Sequence, residues 1–155
     1  MNKIYLQILC AMVVLLFTAC DNNKTTLEPI DGNIWFYMQA DSVLLGQGDG
    51  QYILRLTTSE IYNCANYIII SNNLIGNSLV QIEILGSQLS GDECLTALGL
   101  AKANIELNRK SGSFTLVIAK GNLTDRYQVT LNDSVLVTAI DSSYTIYGMP
   151  YQLYD

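Results

Sequence analysis

Apolar side chains recur at every second position over most of this chain, and that spacing decides what it can fold into. After Gly112, residues Phe114, Leu116 and Ile118 stand at alternate positions, and similar alternation runs through 127–131. A period of two places such residues on one face of a β-strand, whereas a helix needs a period near 3.6. We therefore expect an all-β body.

Further alternating runs come earlier in the chain, and turn-forming residues separate them. Glycine, asparagine and aspartate mark such turns, as at Gly76-Asn77, Gly121-Asn122 and Asn132-Asp133. Asp49-Gly50 lies between two runs, which is typical of a tight hairpin. Eight or nine short strands at this spacing predict an antiparallel sandwich or a closed sheet.

One segment, 92–107, departs from the alternating pattern. Four of its apolar residues are spaced to line one face of a short helix, namely Leu95, Leu98, Ala101 and Ile105. The alternative interpretation is a turn followed by a strand over 103–107.

The stretch 112–140 resembles the last strands of an immunoglobulin-like or fibronectin-like sandwich. It reads Gly-x-Phe-x-Leu-x-Ile, then Asp-Arg-Tyr-x-Val-x-Leu, then Val-x-Val. The resemblance implies an antiparallel immunoglobulin-like β-sandwich of about seven to nine strands over residues 32–155. Trp35 precedes both Cys64 and Cys94, which is unlike the antibody-type domain, where a Trp lies between the two core cysteines.

The first nineteen residues have the proportions of a signal peptide. Lys3 supplies an early positive charge, and 8–17 is an unbroken apolar run. Such a run is only about 15 Å long as a helix, half the thickness of the hydrocarbon layer. It is therefore too short to span a bilayer and matches the apolar region of a signal peptide.

The segment Leu16-Phe17-Thr18-Ala19-Cys20 resembles a bacterial lipobox. The resemblance implies a lipoprotein signal peptide over 1–19, cleavage after Ala19 and diacylglyceryl transfer to the Cys20 thiol. Residues 20–31 then form a polar lipidated tether, and 32–155 form the domain. An ordinary secretory signal with a coincidental cysteine is the alternative.

The residues that follow Cys20 indicate in which membrane, and on which face of it, the anchor lies. Asp21-Asn22-Asn23 resembles the mature ends of Bacteroidetes lipoproteins, in which an acidic cluster after the cysteine directs export to the outer surface. In enterobacteria an Asp at this position favours retention at the inner membrane. We expect a lipid anchor in the outer membrane and leave the periplasmic and cell-surface faces open.

Cys64 and Cys94 are the pair that remains once Cys10 is removed with the signal and Cys20 is lipidated. An even pair in an oxidising compartment predicts a structural disulfide. Closing a loop of this length stabilises a fold by roughly 3.5 kcal/mol on the chain-entropy model. A redox pair or two metal ligands are the alternatives, but the spacing lacks the CxxC pattern.

The composition excludes several kinds of chemistry. The chain has no histidine, which excludes Ser-His-Asp triads, Cys-His dyads and His-ligated zinc. A net charge of −6 argues against nucleic-acid binding, which needs a basic face. The carboxylates Glu83, Asp92-Glu93 and Glu106 are interpreted as surface groups, and a calcium site near Asp133 or Asp141 is a minor alternative. We expect no enzyme, no catalytic residue, no metal and no cofactor.

Two short motifs and an aromatic cluster are the candidate sites that remain. Asp41-Ser42-Val43 and Asp133-Ser134-Val135 resemble the acceptor of Bacteroidetes O-glycosylation, which implies modification at Ser42 and Ser134. Four tyrosines near the end of the sequence are candidate ligand contacts, namely Tyr144, Tyr147, Tyr151 and Tyr154. The alternative is that these tyrosines cover a sheet edge. Trp35 is assigned to the core.

Together these features predict a non-enzymatic interaction module or accessory subunit. Its partners are the membrane, through lipid on Cys20, and either a protein or a glycan. A glycan-binding lipoprotein is one alternative, and a protease inhibitor of immunoglobulin-like fold is another. The loop motifs of such inhibitors have no match here.

The lipobox predicts that Cys20→Ser abolishes lipidation. We expect the wild-type chain to partition into the detergent phase and to carry acyl mass on the residue at position 20, whereas Cys20→Ser should stay unlipidated. Intact-mass analysis and detergent phase separation measure both properties. Cys10→Ser, inside the expected signal, is the control and should be lipidated normally. Equal mass and partitioning of Cys20→Ser and wild type would contradict the lipobox.

Overall fold

A computed structural model describes residues 27–41 and 51–150, and within these residues the chain forms strands and no helix. Nine strands follow one another: β1 Ile34–Ala40, β2 Tyr52–Tyr62, β3 Tyr67–Ile75, β4 Leu79–Leu89, β5 Gly99–Glu106, β6 Gly112–Lys120, β7 Leu123–Leu131, β8 Val135–Asp141 and β9 Thr145–Tyr147. The predicted all-β class and strand number are confirmed.

The helix considered for 92–107 is wrong, because β5 occupies the second half of this segment and an irregular loop the first. Leu95 and Leu98, two residues of the supposed helix face, are exposed in the loop before β5. Gly99 explains part of the difference. A Cβ at this position would lie 2.6 Å from the Cα of Ala65, so the start of β5 needs a glycine to pass so close to the neighbouring backbone.

The strands form one mixed sheet in the order β8-β7-β6-β4-β3-β5-β2-β1-β9. Five neighbouring pairs are antiparallel, but β1 pairs with β9, β3 with β5 and β4 with β6 in parallel. The expectation of a wholly antiparallel sheet is therefore wrong. Alternation of apolar residues sets which face is buried but carries no information on the direction of the neighbouring strand.

The sheet curls until strands from its two ends face each other around one core. Phe36 on β1 packs edge-on against Tyr127 on β7, with ring centroids 4.7 Å apart. These two strands stand next to opposite edges of the sheet, so the contact nearly closes it. The largest fully buried side chains include Leu54, Ile82 and Leu116. The architecture is a nearly closed mixed sheet, and an immunoglobulin-like sandwich is not confirmed by it.

The sheet has one weak seam, between β3 and β5, which share the single residue pair Ile68 and Lys102. In the order β4-β3-β5-β2, the connection from β2 to β3 passes the end of β5, and the connection from β4 to β5 passes the end of β3. Cys64 and Cys94 join these two connections, with Cα atoms 5.2 Å apart. The predicted disulfide is present and fastens the sheet where backbone pairing is sparse.

The buried carboxylate of Asp125 on β7 binds the segment that leads into β9, the strand at the opposite edge of the sheet. Its Oδ1 accepts hydrogen bonds from the Ser143 backbone N–H and hydroxyl, at 2.8 and 2.9 Å. Its Oδ2 accepts from the N–H groups of Tyr144 and Thr145 and from the Thr145 hydroxyl, at 3.0, 2.7 and 2.6 Å. Segment 143–145, which leads into β9, is therefore held against β7.

The ionised form of this carboxylate is the one that the site favours. Burial alone raises the pKa of Asp125, but the hydrogen bonds from Thr145, Tyr144 and Ser143 outweigh burial and hold the pKa below its ordinary value of 3.8. The Tyr127 hydroxyl lies 2.7 Å from the Thr145 hydroxyl oxygen and extends the network. The buried charge of Asp125 is thus stabilised by hydrogen bonds from segment 143–145.

The first described residues pack against β4. Glu28 forms an antiparallel bridge with Ser87, in which each backbone N–H donates to the other carbonyl at 2.8 Å. Gly86 permits this approach, since a Cβ there would lie 2.6 Å from the Glu28 carbonyl oxygen. Lys120 donates to the carbonyl oxygens of Ile30 and Gly32, at 2.9 and 3.0 Å. The chain is therefore bound to the domain from Glu28 onward.

The Asp125 network predicts a large loss of stability in Asp125→Asn. We expect the free energy of unfolding at pH 7 to fall by roughly 3 kcal/mol, because several donors lose a buried anionic acceptor. Urea unfolding followed by circular dichroism measures the loss. Asp92→Asn, in an exposed loop, is the matched control and should change stability little.

The same pair of proteins tests the pH dependence. Because the folded pKa of Asp125 is depressed, its contribution is complete above about pH 5 and is lost as the pH falls through 3.8 towards the folded pKa. The stability gap between wild type and Asp125→Asn should therefore narrow in acid. A gap of constant size from pH 7 to pH 3 would show that the charge of Asp125 is not what stabilises segment 143–145.

Candidate functional site

A shallow groove crosses the outer face of β1, β2 and β5. The register pairs Tyr37 with Arg55 and Arg55 with Asn104, so these three side chains stand side by side on that face. One pleat further along, Thr57 pairs with Lys102. The groove has a volume of about 240 Å³ and these residues line it. Its floor is thus built from residues of three strands that alternate with the buried core positions.

The residues after β9 form one wall of the groove. The Gly148 N–H donates to the Phe36 carbonyl oxygen at 2.8 Å, and the φ of Gly148 is +139°. Glycine tolerates this conformation, which directs the chain over the outer face. Met149 and Pro150 then border the groove. The wall therefore depends on the pairing of β9 with β1.

The groove is cationic, although the chain as a whole has a net charge of −6. Arg55 and Lys102 supply two positive charges, while Glu106 lies on the same face of β5, opposite Ile53. The Nε atom of Arg55 is buried and has no hydrogen-bond partner among residues 27–41 and 51–150. Buried donors in folded proteins are nearly always paired, so within the described residues this Nε atom has no structural hydrogen-bond role.

A second arginine, Arg109, has hydrogen-bond acceptors for its guanidinium. Arg109 donates to the carbonyl oxygens of Gly76 and Asn77 and lies over the Phe114 ring, with its Cζ atom 4.2 Å from the centroid. Burial lowers the pKa of Arg109. Its side chain ties the β5–β6 connection to the β3–β4 turn, a structural role that leaves little for a ligand.

Tyr144, one of the four candidate contact tyrosines, lies in the core. Its side chain is 5% exposed, and its hydroxyl donates to the Ile118 carbonyl oxygen at 2.7 Å. Burial, with the nearby charge of Asp125, raises the pKa of Tyr144 well above its ordinary value. This residue is therefore not available to a ligand at the surface, and its role is to pack the closed end of the sheet.

Tyr147 is more accessible, with 43% of its side chain exposed. Its ring lies 5.4 Å from that of Phe36 at the edge of the sheet, and burial raises its pKa. Tyr151 and Tyr154 lie outside the described residues. Of the two described tyrosines, one is therefore buried and one is partly exposed, so they do not form an exposed aromatic strip.

The aromatic pair that does face outward is Trp35 and Tyr37. The assignment of Trp35 to the core is wrong, because Ile34, Phe36 and Met38 take the buried positions of β1 and leave the alternate ones outside. Trp35 is half-buried beside Gly148, where an added Cβ would lie 3.9 Å from its ring. An aromatic surface thus adjoins the cationic groove.

The other sites suggested by the sequence fall in different places. Ser134 is exposed in the turn before β8, and its carbonyl oxygen accepts from the Asn132 N–H at 3.0 Å. Ser42 and Cys20 lie outside the described residues. In the part of the chain that the structure covers, no helix has the length and apolar character needed to cross a membrane.

The candidate carboxylates are dispersed over the surface. Glu83 on β4 accepts a hydrogen bond from the Asn72 amide at 3.1 Å, and Asp92 and Glu93 are exposed in the loop before β5. Residues 27–41 and 51–150 contain no group of three or more His, Cys, Asp or Glu side chains suited to a metal ion. Glu83, Asp92 and Glu93 are thus placed as surface groups.

Sequence reasoning missed the groove itself. Arg55, Lys102 and Asn104 belong to strands far apart in sequence, and only the pairing of β2 with β5 brings them together. The available signal was weak: a single arginine at an outward position in the apolar first half of β2. In comparisons with known proteins, no family model, no curated protein and no solved structure matches this chain.

The buried hydroxyl of Tyr144 predicts sensitivity to alkali. Because its folded pKa is raised, the protonated side chain stabilises the fold up to about pH 10, and this contribution is lost as the pH rises further. Tyr144→Phe should cost about 1 kcal/mol at pH 7, from the lost hydrogen bond, and should show a shallower fall above pH 10. Urea unfolding at pH 7, 9 and 11 measures both effects.

Tyr37→Phe, on the half-buried outer face, is the matched control for that series. It should reproduce the wild-type dependence on pH. If Tyr144→Phe and wild type lose stability in parallel above pH 10, the Tyr144 hydroxyl does not carry the alkaline transition.

Proposed function

We propose that the chain is a membrane-anchored lipoprotein of the cell envelope, whose domain is a non-catalytic interaction module or accessory subunit. Anchoring rests on the lipobox that ends at Cys20, with the lipid in the outer membrane. The binding role is carried by one observation, the solvent-facing groove lined by Arg55, whose Nε atom has no partner among residues 27–41 and 51–150. Its partner is a protein or a glycan.

We also propose that the fold is a variant of the immunoglobulin-like sandwich. The single residue pair between β3 and β5 divides the sheet into layers of five and four strands. Phe36 and Tyr127 then pack across the two layers. The parallel pairing of β9 with β1 at the edge of the smaller layer supports the same arrangement.

The direction in which the chain reaches the domain fits an anchor before Leu27. The bridge between Glu28 and Ser87 is antiparallel, so towards the N-terminus the backbone runs to the C-terminal end of β4, where the disulfide lies. Seven residue steps from Cys20 to Leu27 reach at most about 25 Å. A lipid on Cys20 would therefore hold Leu27 within about 25 Å of the bilayer.

A surface glycan-binding lipoprotein is the second candidate. The outward faces of Trp35 and Tyr37 beside a polar groove favour it, because aromatic rings combine an apolar surface with polar neighbours. This candidate requires that the domain faces the cell exterior, whereas an envelope-assembly role requires the periplasm.

Cell fractionation combined with protease shaving tests the proposal. We expect the wild-type chain in the outer-membrane fraction and Cys20→Ser in the soluble fraction. Loss of the domain on protease treatment of intact cells, with a periplasmic marker protected, favours glycan capture. Loss only after lysis favours an envelope-assembly partner. Recovery of the wild-type chain in the soluble fraction would contradict the anchored lipoprotein.

A further inference from the structure

We propose that the groove lined by Tyr37, Arg55, Lys102 and Asn104 binds an acidic saccharide, with Arg55 holding the carboxylate of a uronate-type sugar. This inference deepens the binding role proposed above and rests on it, but it does not depend on the lipid anchor. It names the ligand class for a site that described residues line.

The guanidinium of Arg55 is the centre of the argument. It lies between Tyr37 on β1 and Asn104 on β5, and its buried Nε has no partner among the described residues. A guanidinium pairs with a carboxylate through two parallel N–H···O bonds. A carboxylate in the groove would therefore meet the guanidinium of Arg55, which lines the site.

The charges around the groove set where the acidic group lies. Lys102 stands one pleat from Asn104 in one direction along β5, and Glu106 stands one pleat away in the other. An anion on Arg55 is attracted towards Lys102 and repelled from Glu106. The carboxylate is thus expected at the Lys102 end, with the remainder of the ligand over Tyr37 and Asn104.

The shape of the site favours a sugar over an acidic peptide. Extended peptides usually bind by adding a strand to a sheet edge, where backbone groups are free, but this groove lies on the face of the sheet and offers side chains. Its volume of about 240 Å³ is small for a binding pocket, which suits one ring. Tyr37 offers an aromatic face, and the Asn104 amide both donates and accepts hydrogen bonds.

The test is calorimetric titration of the full chain, purified in detergent micelles, with an oligogalacturonate of defined length. A neutral oligogalactan of the same length and an oligoglutamate are the comparison probes. We expect saturable binding of the oligogalacturonate that weakens with added salt, and much weaker binding of the other two. Equal binding of the neutral sugar, or no saturable binding of the oligogalacturonate, would overturn the proposal.

Arg55→Met is the decisive variant, and Lys110→Met, an exposed lysine in the β5–β6 connection, is its control. Arg55→Met should lose about tenfold or more in affinity, while Lys110→Met should bind as wild type does. Arg55→Lys should also bind weakly, because it keeps the charge but not the two parallel bonds. Unchanged binding by Arg55→Met would overturn the proposal.

A stability measurement separates a ligand residue from a structural one. Arg55→Met removes a buried donor that has no described partner, so its melting temperature should equal or exceed that of wild type. If Arg55→Met unfolds instead, Arg55 is a structural residue and the assignment of the carboxylate to Arg55 is wrong. Lys102→Gln then tests the groove separately. Its affinity for the oligogalacturonate should fall several-fold, and unchanged affinity would refute the acidic-saccharide site.

Two outcomes distinguish this inference from the broader function. Tight binding of the oligoglutamate, lost equally in Arg55→Met, would identify an acidic peptide as the ligand and overturn the saccharide assignment. A chain that binds the oligogalacturonate but is found in the soluble fraction of cells would keep the site and contradict the anchor.

Discussion

The carboxylate of Asp125 is the interaction on which the closed end of this fold depends. It binds segment 143–145 through five hydrogen bonds. That segment positions β9, which pairs in parallel with β1. The chain then continues through Gly148 to Met149, which borders the outer groove. A buried anion on β7 thus helps to set the position of β9 and, through β9, of the residues that border the groove.

The two arginines at positions 55 and 109 have different surroundings. Arg109 is surrounded by carbonyl oxygens and an aromatic ring, which compensate for the loss of water around its charge. The buried Nε of Arg55 has no such compensation from residues 27–41 and 51–150. Partial burial without a partner is a cost to the fold, and natural chains tolerate such costs mainly where a ligand relieves them.

Much of the architecture was predictable from alternation alone. Phe114, Leu116 and Ile118 point inward as the period of two requires, and the pairing of Cys64 with Cys94 was expected from an even number of cysteines in an assumed oxidising compartment. The parallel pairs and the groove were not predictable, because both arise from the register between distant strands. Trp35 was misassigned for a related reason: alternation identifies two faces but does not say which one is inside.

The way the chain joins β4 has a mechanical consequence. Glu28 is held by two backbone hydrogen bonds to Ser87 and by the hydroxyl of Tyr67, which donates to its carboxylate at 2.7 Å. A pull on the preceding residues, directed towards the disulfide end, runs along the axis of β4 and loads these bonds in shear. Bonds loaded in shear carry force together, whereas bonds that are peeled break in succession. The two backbone bonds between Glu28 and Ser87 are thus placed to share a load applied along β4.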